Sequence, residues 1–191
     1  VATPGAAPAT SSRRLSTADV VKIVADDDWV LVDTRPTDAF NGWALDGITR
    51  GGHLPGAVDF PAGWLDADEK GRPKKLAAAL QAKGIRPDRH VVLYGTSERD
   101  SQKVAAYLKQ AGFRKLYLFD LEDWAADNRR PLVRYKNFHL LVPASIVKRL
   151  VAGQLPETFG EAKRVVLDKD STTIIEGKGA RNAIDGRLRE I

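Results

Sequence analysis

Val91-Val92-Leu93-Tyr94-Gly95-Thr96-Ser97-Glu98-Arg99-Asp100-Ser101 passes from a continuous apolar run through a polar stretch. Val104, Ala105, Tyr107, Leu108 and Ala111 then recur at helical spacing and stop at Gly112. An unbroken apolar run of this length fits a strand buried on both faces, and the switch to a 3.6-residue period marks the following helix. A glycine just past the last periodic residue is a common helix stop. The segment reads as strand, loop and helix, with the loop at the strand's carboxyl end, where parallel sheets carry their functional residues.

The same grammar repeats outward. Upstream, Trp29-Val30-Leu31-Val32 is a second apolar run, ending on Asp33-Thr34-Arg35, and downstream Leu116-Tyr117-Leu118-Phe119 is another. Gly51-Gly52-His53-Leu54-Pro55-Gly56 is a turn by composition, followed by a short strand at Ala57-Val58-Asp59-Phe60. Leu76 to Ala82 carries an apolar helical face. Ahead of them all, Ser16-Thr17-Ala18-Asp19 has the spacing of a capping box before Val20, Val21, Ile23 and Val24. Strands alternating with helices predict an α/β domain in three layers, a central parallel sheet flanked by helices.

Composition narrows the function classes. With 191 residues and 43% apolar content, the chain has room for one packed domain and an appendage. No apolar run approaches the ~18 residues of a membrane helix, so no membrane partner is expected. The chain contains neither Cys nor Met, and the missing initiator reads as a mature or trimmed form. The small, polar opening Val1 to Ser12 resembles the stretch after a cleaved export signal, and residues 1–14 read as a disordered segment. The expected location is therefore periplasmic or otherwise exported, with cytoplasmic as the alternative. Residues 1–133 hold 19 basic against 18 acidic side chains and residues 134–191 hold 11 against 7, so most of the net +5 lies in the last third. The final 31 residues have no aromatic and alternate in charge sign, a solvated surface rather than a nucleic-acid site.

Four motifs in order carry a resemblance: Leu31-Val32-Asp33-Thr34-Arg35-Pro36; Gly52-His53-Leu54-Pro55-Gly56-Ala57-Val58; the Val91 to Ser101 strand and loop; and Leu116 to Phe119 with Trp124 beyond. Together they resemble the rhodanese family of sulfurtransferases over residues 15–133. Asp33 to Trp43, with Phe40-Asn41-Gly42-Trp43, is similar to the first domain of multi-domain bacterial thiosulfate sulfurtransferases, in which the leading domain is commonly inactive and a later one carries the chemistry. The resemblance implies a rhodanese-like fold. Members that transfer sulfur have a cysteine where this chain has Gly95, and often glycine and arginine where it has Glu98 and Asp100. Only a polarizable thiolate both attacks sulfane sulfur and holds it as a persulfide, so the catalytic set here is empty. Leu121-Glu122-Asp123-Trp124 also departs from the Gly-Gly usual before the late tryptophan.

What remains is a vestigial substrate loop, Gly95, Thr96, Ser97, Glu98, Arg99, Asp100 and Ser101. Two carboxylates there would repel an anionic donor. Ser97 or Ser101 as nucleophile lacks a histidine base in the loop, and Ser101 reads instead as a helix cap. Arg99 is either solvated or, with amides at the helix entry, a holder of a small anion such as sulfate or thiosulfate. His53 reads as a packed turn residue rather than a general base, beside Gly56 in the same turn. Asp33 and Arg35 read as partners for backbone and charge at the strand end rather than as site residues. Trp124 is read as structural with them. No cofactor and no metal is expected.

Residues 134–160 read as a linker and a helix, because Pro143-Ala144-Ser145-Ile146-Val147-Lys148-Arg149-Leu150 echoes Ser16 to Ile23 and resembles the entry of a second rhodanese repeat. From residue 161 the text changes. Ala162 to Val166, Thr172-Thr173-Ile174-Ile175 and Ala183 to Arg187 resemble the end of the apical domain of group I chaperonins. A strand pair at Val165 to Leu167 and Thr172 to Ile175 and a helix from near Ala180 are expected, making residues 161–191 a fragment of separate origin in a chimera. The functional expectation is an inactive rhodanese-like module with a structural or interaction role, partnered by later rhodanese domains of its parent or by another copy. The alternatives are part of a thiosulfate sulfurtransferase whose catalytic cysteine lies on a missing domain, and an anion-binding module.

Overall fold

A computed structural model of the chain describes residues 12–45, 47–66, 71–136 and 138, and the backbone of two strands at 162–167 and 173–177. Five parallel strands form the main sheet: β1 (Arg13–Arg14), β2 (Trp29–Asp33), β3 (Val58–Asp59), β4 (His90–Gly95) and β5 (Leu116–Asp120), in the order β1-β5-β4-β2-β3. β4 lies at the centre, in register from Trp29↔His90 to Asp33↔Tyr94 on one side and from Val91↔Leu116 to Gly95↔Asp120 on the other.

The continuous apolar runs are explained by alternation on a sheet covered twice. Val30, Val32, Val91, Leu93, Leu116 and Leu118 face α3 (Arg72–Ala82) and α4 (Glu98–Gln110), burying Leu76, Leu80, Val104 and Leu108. Leu31, Val92, Tyr94 and Phe119 point the other way, against α1 (Thr17–Ile23), α2 (Thr37–Asn41) and α5 (Glu122–Ala126), through Val20, Phe40 and Trp124. Both neighbours of every second residue are thus apolar, and no polar face is needed. α1 opens with the expected capping box: Ser16 Oγ accepts from Asp19 N–H and the Asp19 carboxylate accepts from Ser16 N–H.

Three expectations are revised. The disordered segment was expected to reach residue 14, yet Arg13 and Arg14 pair with Tyr117 and Leu118 as an edge strand; residues 1–11 lie outside the described residues. The seven-residue loop shortens to Thr96 and Ser97, because α4 starts at Glu98. Ser97, not Ser101, is its N-cap, and Ser101 is buried inside the helix.

At the C-terminal side, β6 (Ala162–Leu167) and β7 (Thr173–Gly177) form an antiparallel pair, Val165 opposite Ile175 and Val166 opposite Ile174. The expected strand pair is present. The expected helices at Pro143–Leu150 and beyond Ala180 lie outside the described residues.

Candidate functional site

The site is built where β2 and β4 end side by side. The Thr34 N–H and Oγ1–H both donate to Tyr94 O, at 2.9 and 3.0 Å, and Thr34 Oγ1 lies 3.1 Å from Ser101 Oγ. Gly95 sits above them, its carbonyl taken by Leu121 N–H at 3.0 Å. A Cβ at this position would lie 3.0 Å from Thr34 Oγ1, 3.3 Å from Arg35 Cγ and 3.8 Å from Ser101 Oγ, a tight fit among polar atoms. The cavity over Gly95 has a volume of about 20 Å³, room for roughly one water. Arg14, Ser97, Glu98, Ser101 and Asp120 line it.

Charge at its mouth is partly matched, one guanidinium standing against two carboxylates. Glu98 pairs with Arg14 and accepts from Gln102. The hydrogen bond from Arg14 and its charge hold the Glu98 carboxyl below the usual carboxylate range, and the same pair raises Arg14, with Asp120 adding to it. Ser97 Oγ accepts from Asp100 N–H, so the side chain at the loop corner closes the helix end itself. Arg99 is exposed on the first turn of α4, flanked by Glu98 and Asp100. The structure thus brings Gly95, Ser97, Glu98 and Ser101 to one cavity and leaves Arg99 outside its lining.

Under the pocket lies a buried polar knot. Arg35 donates to Asp33 through Nε at 2.9 Å and Nη2 at 2.6 Å, and Nη2 also donates to Gly52 O at 2.6 Å. Asp33 also accepts from Arg35 N–H. Asp33 and Arg35 are 0% and 3% exposed. The Tyr94 hydroxyl accepts from Leu54 N–H at 3.1 Å. Burial, with Asp33 next to it, pushes the Tyr94 hydroxyl well above its usual range, against smaller lowering effects of Arg35 and the Leu54 amide. Because the folded value is raised, this group's contribution to stability is complete below the ordinary tyrosine range of about 10 and is lost as pH rises through and beyond it. Alkaline titration should show one of the four tyrosines ionising only as circular dichroism is lost; a full tyrosinate signal in the folded protein would contradict the burial.

His53 is buried in the glycine turn. Its Nδ1 is 2.8 Å from Phe40 O, which can only accept, so Nδ1 carries the proton, and the ring stacks on Phe40 at 3.7 Å. Gly56 adopts φ 72° in the turn. Trp124 donates Nε1–H to Pro131 O at 3.0 Å and carries the Arg130 guanidinium 5.2 Å above its ring.

Two participants were not read from the sequence. Arg14 sits in a two-residue strand, too short to show periodicity. Arg50 donates to the carbonyls of Trp124, Ala125, Asp127 and Arg130, binding the negative end of α5. A lone cation in a glycine-rich turn gives no sign of such a partner some 75 residues away. Among the described residues no group of three His, Cys, Asp or Glu could hold a metal ion, and no helix is long and apolar enough to cross a membrane.

A five-stranded parallel sheet flanked by helices, with a strand, short loop and helix around a small pocket at its carboxyl end, is the rhodanese-like α/β arrangement. The chain belongs to the rhodanese-like domain family, whose model matches residues 16–127. Thiosulfate sulfurtransferase YnjE of Escherichia coli (strain K12) is 31% identical over 111 residues, covering 58% of this chain and 24% of that protein. The wild-type structure of EanB superposes with a TM-score of 0.70 at 28% identity, covering 81% of this chain and 34% of EanB. The anaerobic ergothioneine biosynthesis enzyme from Chlorobium limicola, in complex with trimethyl histidine, gives the same score and identity over 35% of its length. The chain thus spans a quarter to a third of the relatives it matches. The family match ends at residue 127 and lends nothing to the chaperonin resemblance of residues 161–191.

Proposed function

We propose that this chain is a non-catalytic rhodanese-like module, the leading domain of a multi-domain sulfurtransferase, with a structural or interaction role. The observation that carries the reading is Gly95 at the end of β4. The position that would hold the sulfur nucleophile has no side chain, and no cysteine stands elsewhere among the 191 residues. One EanB variant is described with ergothioneine covalently linked to a cysteine persulfide, a species this chain cannot form. A thiol nucleophile cannot be replaced by Ser97 or Ser101, since Ser97 Oγ caps α4 and Ser101 Oγ is buried against Thr34. Glu98 and Asp120 against the single Arg14 leave the cavity lining one negative charge in excess, which further disfavours an anionic donor.

In this reading the chemistry belongs to a cysteine on a later domain of the parent protein, and that domain, or a second copy, is the partner. Incubation with thiosulfate and cyanide should yield no thiocyanate above the buffer rate. Turnover that follows the purified chain through a sizing column would overturn the proposal.

A further inference from the structure

The other end of the sheet carries a groove of about 400 Å³, where the amino ends of β2, β4 and β5 lie side by side. Asp27 and Asp28 reach it from the turn before β2, Arg86 and Arg89 from the loop before β4, and Lys115 from the turn before β5. Because β4 lies between β2 and β5, the groove is acidic at one side and basic through its middle to the other. Asp88 does not change this, since it is already paired with Arg86 at 3.4 Å, and its carbonyl accepts from Lys115 Nζ at 3.0 Å. The two halves are tied together. His90 N–H donates to Asp28 O at 3.1 Å, Arg89 Nη2 to Trp29 O at 3.3 Å, and Asp28 N–H to Asp26 Oδ1 at 2.9 Å. The His90 ring stacks on Trp29 at 4.5 Å, and its Nδ1 lies 2.9 Å from the Tyr117 hydroxyl. The groove is therefore set before anything enters it.

The change of sign continues beyond the groove. Residues 12–60 hold 8 acidic against 5 basic side chains, and residues 61–115 hold 12 basic against 6 acidic, so the two halves belong to segments of opposite net charge. Small-molecule sites are lined mostly by apolar groups, and this groove is lined by charges, which fits the surface of another protein better. A surface negative on one half and positive on the other is its own complement. A two-fold rotation sets the acidic half of each copy on the basic half of the other, and both contacts form at once. We propose that this end of the sheet is a contact between two copies of the chain, with Asp27 and Asp28 of each facing Arg86 and Lys115 of the other. Exposed ion pairs are individually weak and are screened by salt, so the contact is a transient one whose orientation is set by charge. It gives the interaction role proposed above a surface and rests on that role. It uses no residue of the Gly95 pocket, and its readout is association rather than thiocyanate, so its failure leaves the non-catalytic reading standing.

The test is sedimentation equilibrium of the full chain at about 0.01 M and about 1 M salt, between which the Debye length falls from ~30 to ~3 Å. A monomer–dimer equilibrium is expected at low salt, with a dissociation constant that rises roughly tenfold or more at high salt. Salt has the reverse effect on the general repulsion between two chains of net charge +5, so the direction is diagnostic. Two doubly reversed variants locate the contact: Asp27→Lys with Asp28→Lys, and Arg86→Glu with Lys115→Glu. All four side chains are exposed, and circular dichroism checks that each variant keeps the parent fold. Each variant alone should be monomeric, because like charges then meet in both contacts. An equal mixture of the two should dimerise as the parent does, because opposite signs are restored in both. The proposal is overturned if the parent is monomeric at low salt, if its association does not weaken with salt, or if it grows past the dimer. It is overturned equally if either variant alone still associates or if the mixture does not. Should one pair of substitutions unfold the chain, the other decides alone, and it must lose the association that the parent shows.

Discussion

Gly51→Ala should destabilise the domain by about 4 kcal/mol, at the upper end for a single substitution, and lower its melting temperature by on the order of 15 °C. The cause is steric. A Cβ on Gly51 would stand 2.0 Å from Gly42 O and 2.4 Å from the Trp43 carbonyl carbon, and both are backbone atoms. No rotamer change relieves such a contact. The turn must move away from α2, taking with it Gly52 N–H, which donates to Ala39 O, and the His53 ring on Phe40. Gly63→Ala is the control: nothing lies within 4 Å of its Cβ, and its backbone is not left-handed. That change should stay within about 0.5 kcal/mol. Urea unfolding of the two variants checks this; equal midpoints for both would show that the turn yields more easily than the geometry allows.

This contrast also shows what the sequence could reveal. Gly51-Gly52-His53-Leu54-Pro55-Gly56 was legible as a turn from composition, but the reason for Gly51 is a neighbour that composition does not contain. The strands were legible because burial on both faces leaves a local mark, an unbroken apolar run at Trp29 to Val32, Val91 to Tyr94 and Leu116 to Phe119. The first helix was legible because Ser16 and Asp19 satisfy each other within one turn. Ser97 and Asp100 carry the same spacing, and α4 is capped there, one turn before the Ser101 that the longer loop of the family pattern implies. Arg14, Arg50 and the Val133 bridge were illegible for one reason. Each acts through a partner far along the chain, Glu98, the α5 carbonyls and His53, and leaves no period or spacing of its own.

The second large effect falls on the knot beneath the pocket. Arg35→Ala should cost about 3–5 kcal/mol, because it leaves a carboxylate without its charged partner in the interior. Asp33 is 0% exposed, so water cannot take over the two side-chain hydrogen bonds that Arg35 supplies, in addition to its backbone N–H, through Nε and Nη2. The backbone bond survives the substitution and the two side-chain bonds do not. Gly52 O loses its donor as well. Arg35→Lys tests whether charge alone suffices. A lysine ammonium is a point donor and cannot span both carboxylate oxygens and the Gly52 carbonyl in the fixed fork of a guanidinium. The lysine variant should therefore recover less than half of the loss, about 1–2 kcal/mol. If instead Arg35→Ala lies within about 1 kcal/mol of the parent in urea, with the same dependence on denaturant, the pair is more hydrated than its burial implies. A large loss without lysine rescue would mean that the buried pair is a framework element independent of sulfur chemistry. Asp33 and Arg35 would then hold the ends of β2 and β4 and the glycine turn together in a domain with no nucleophile to position.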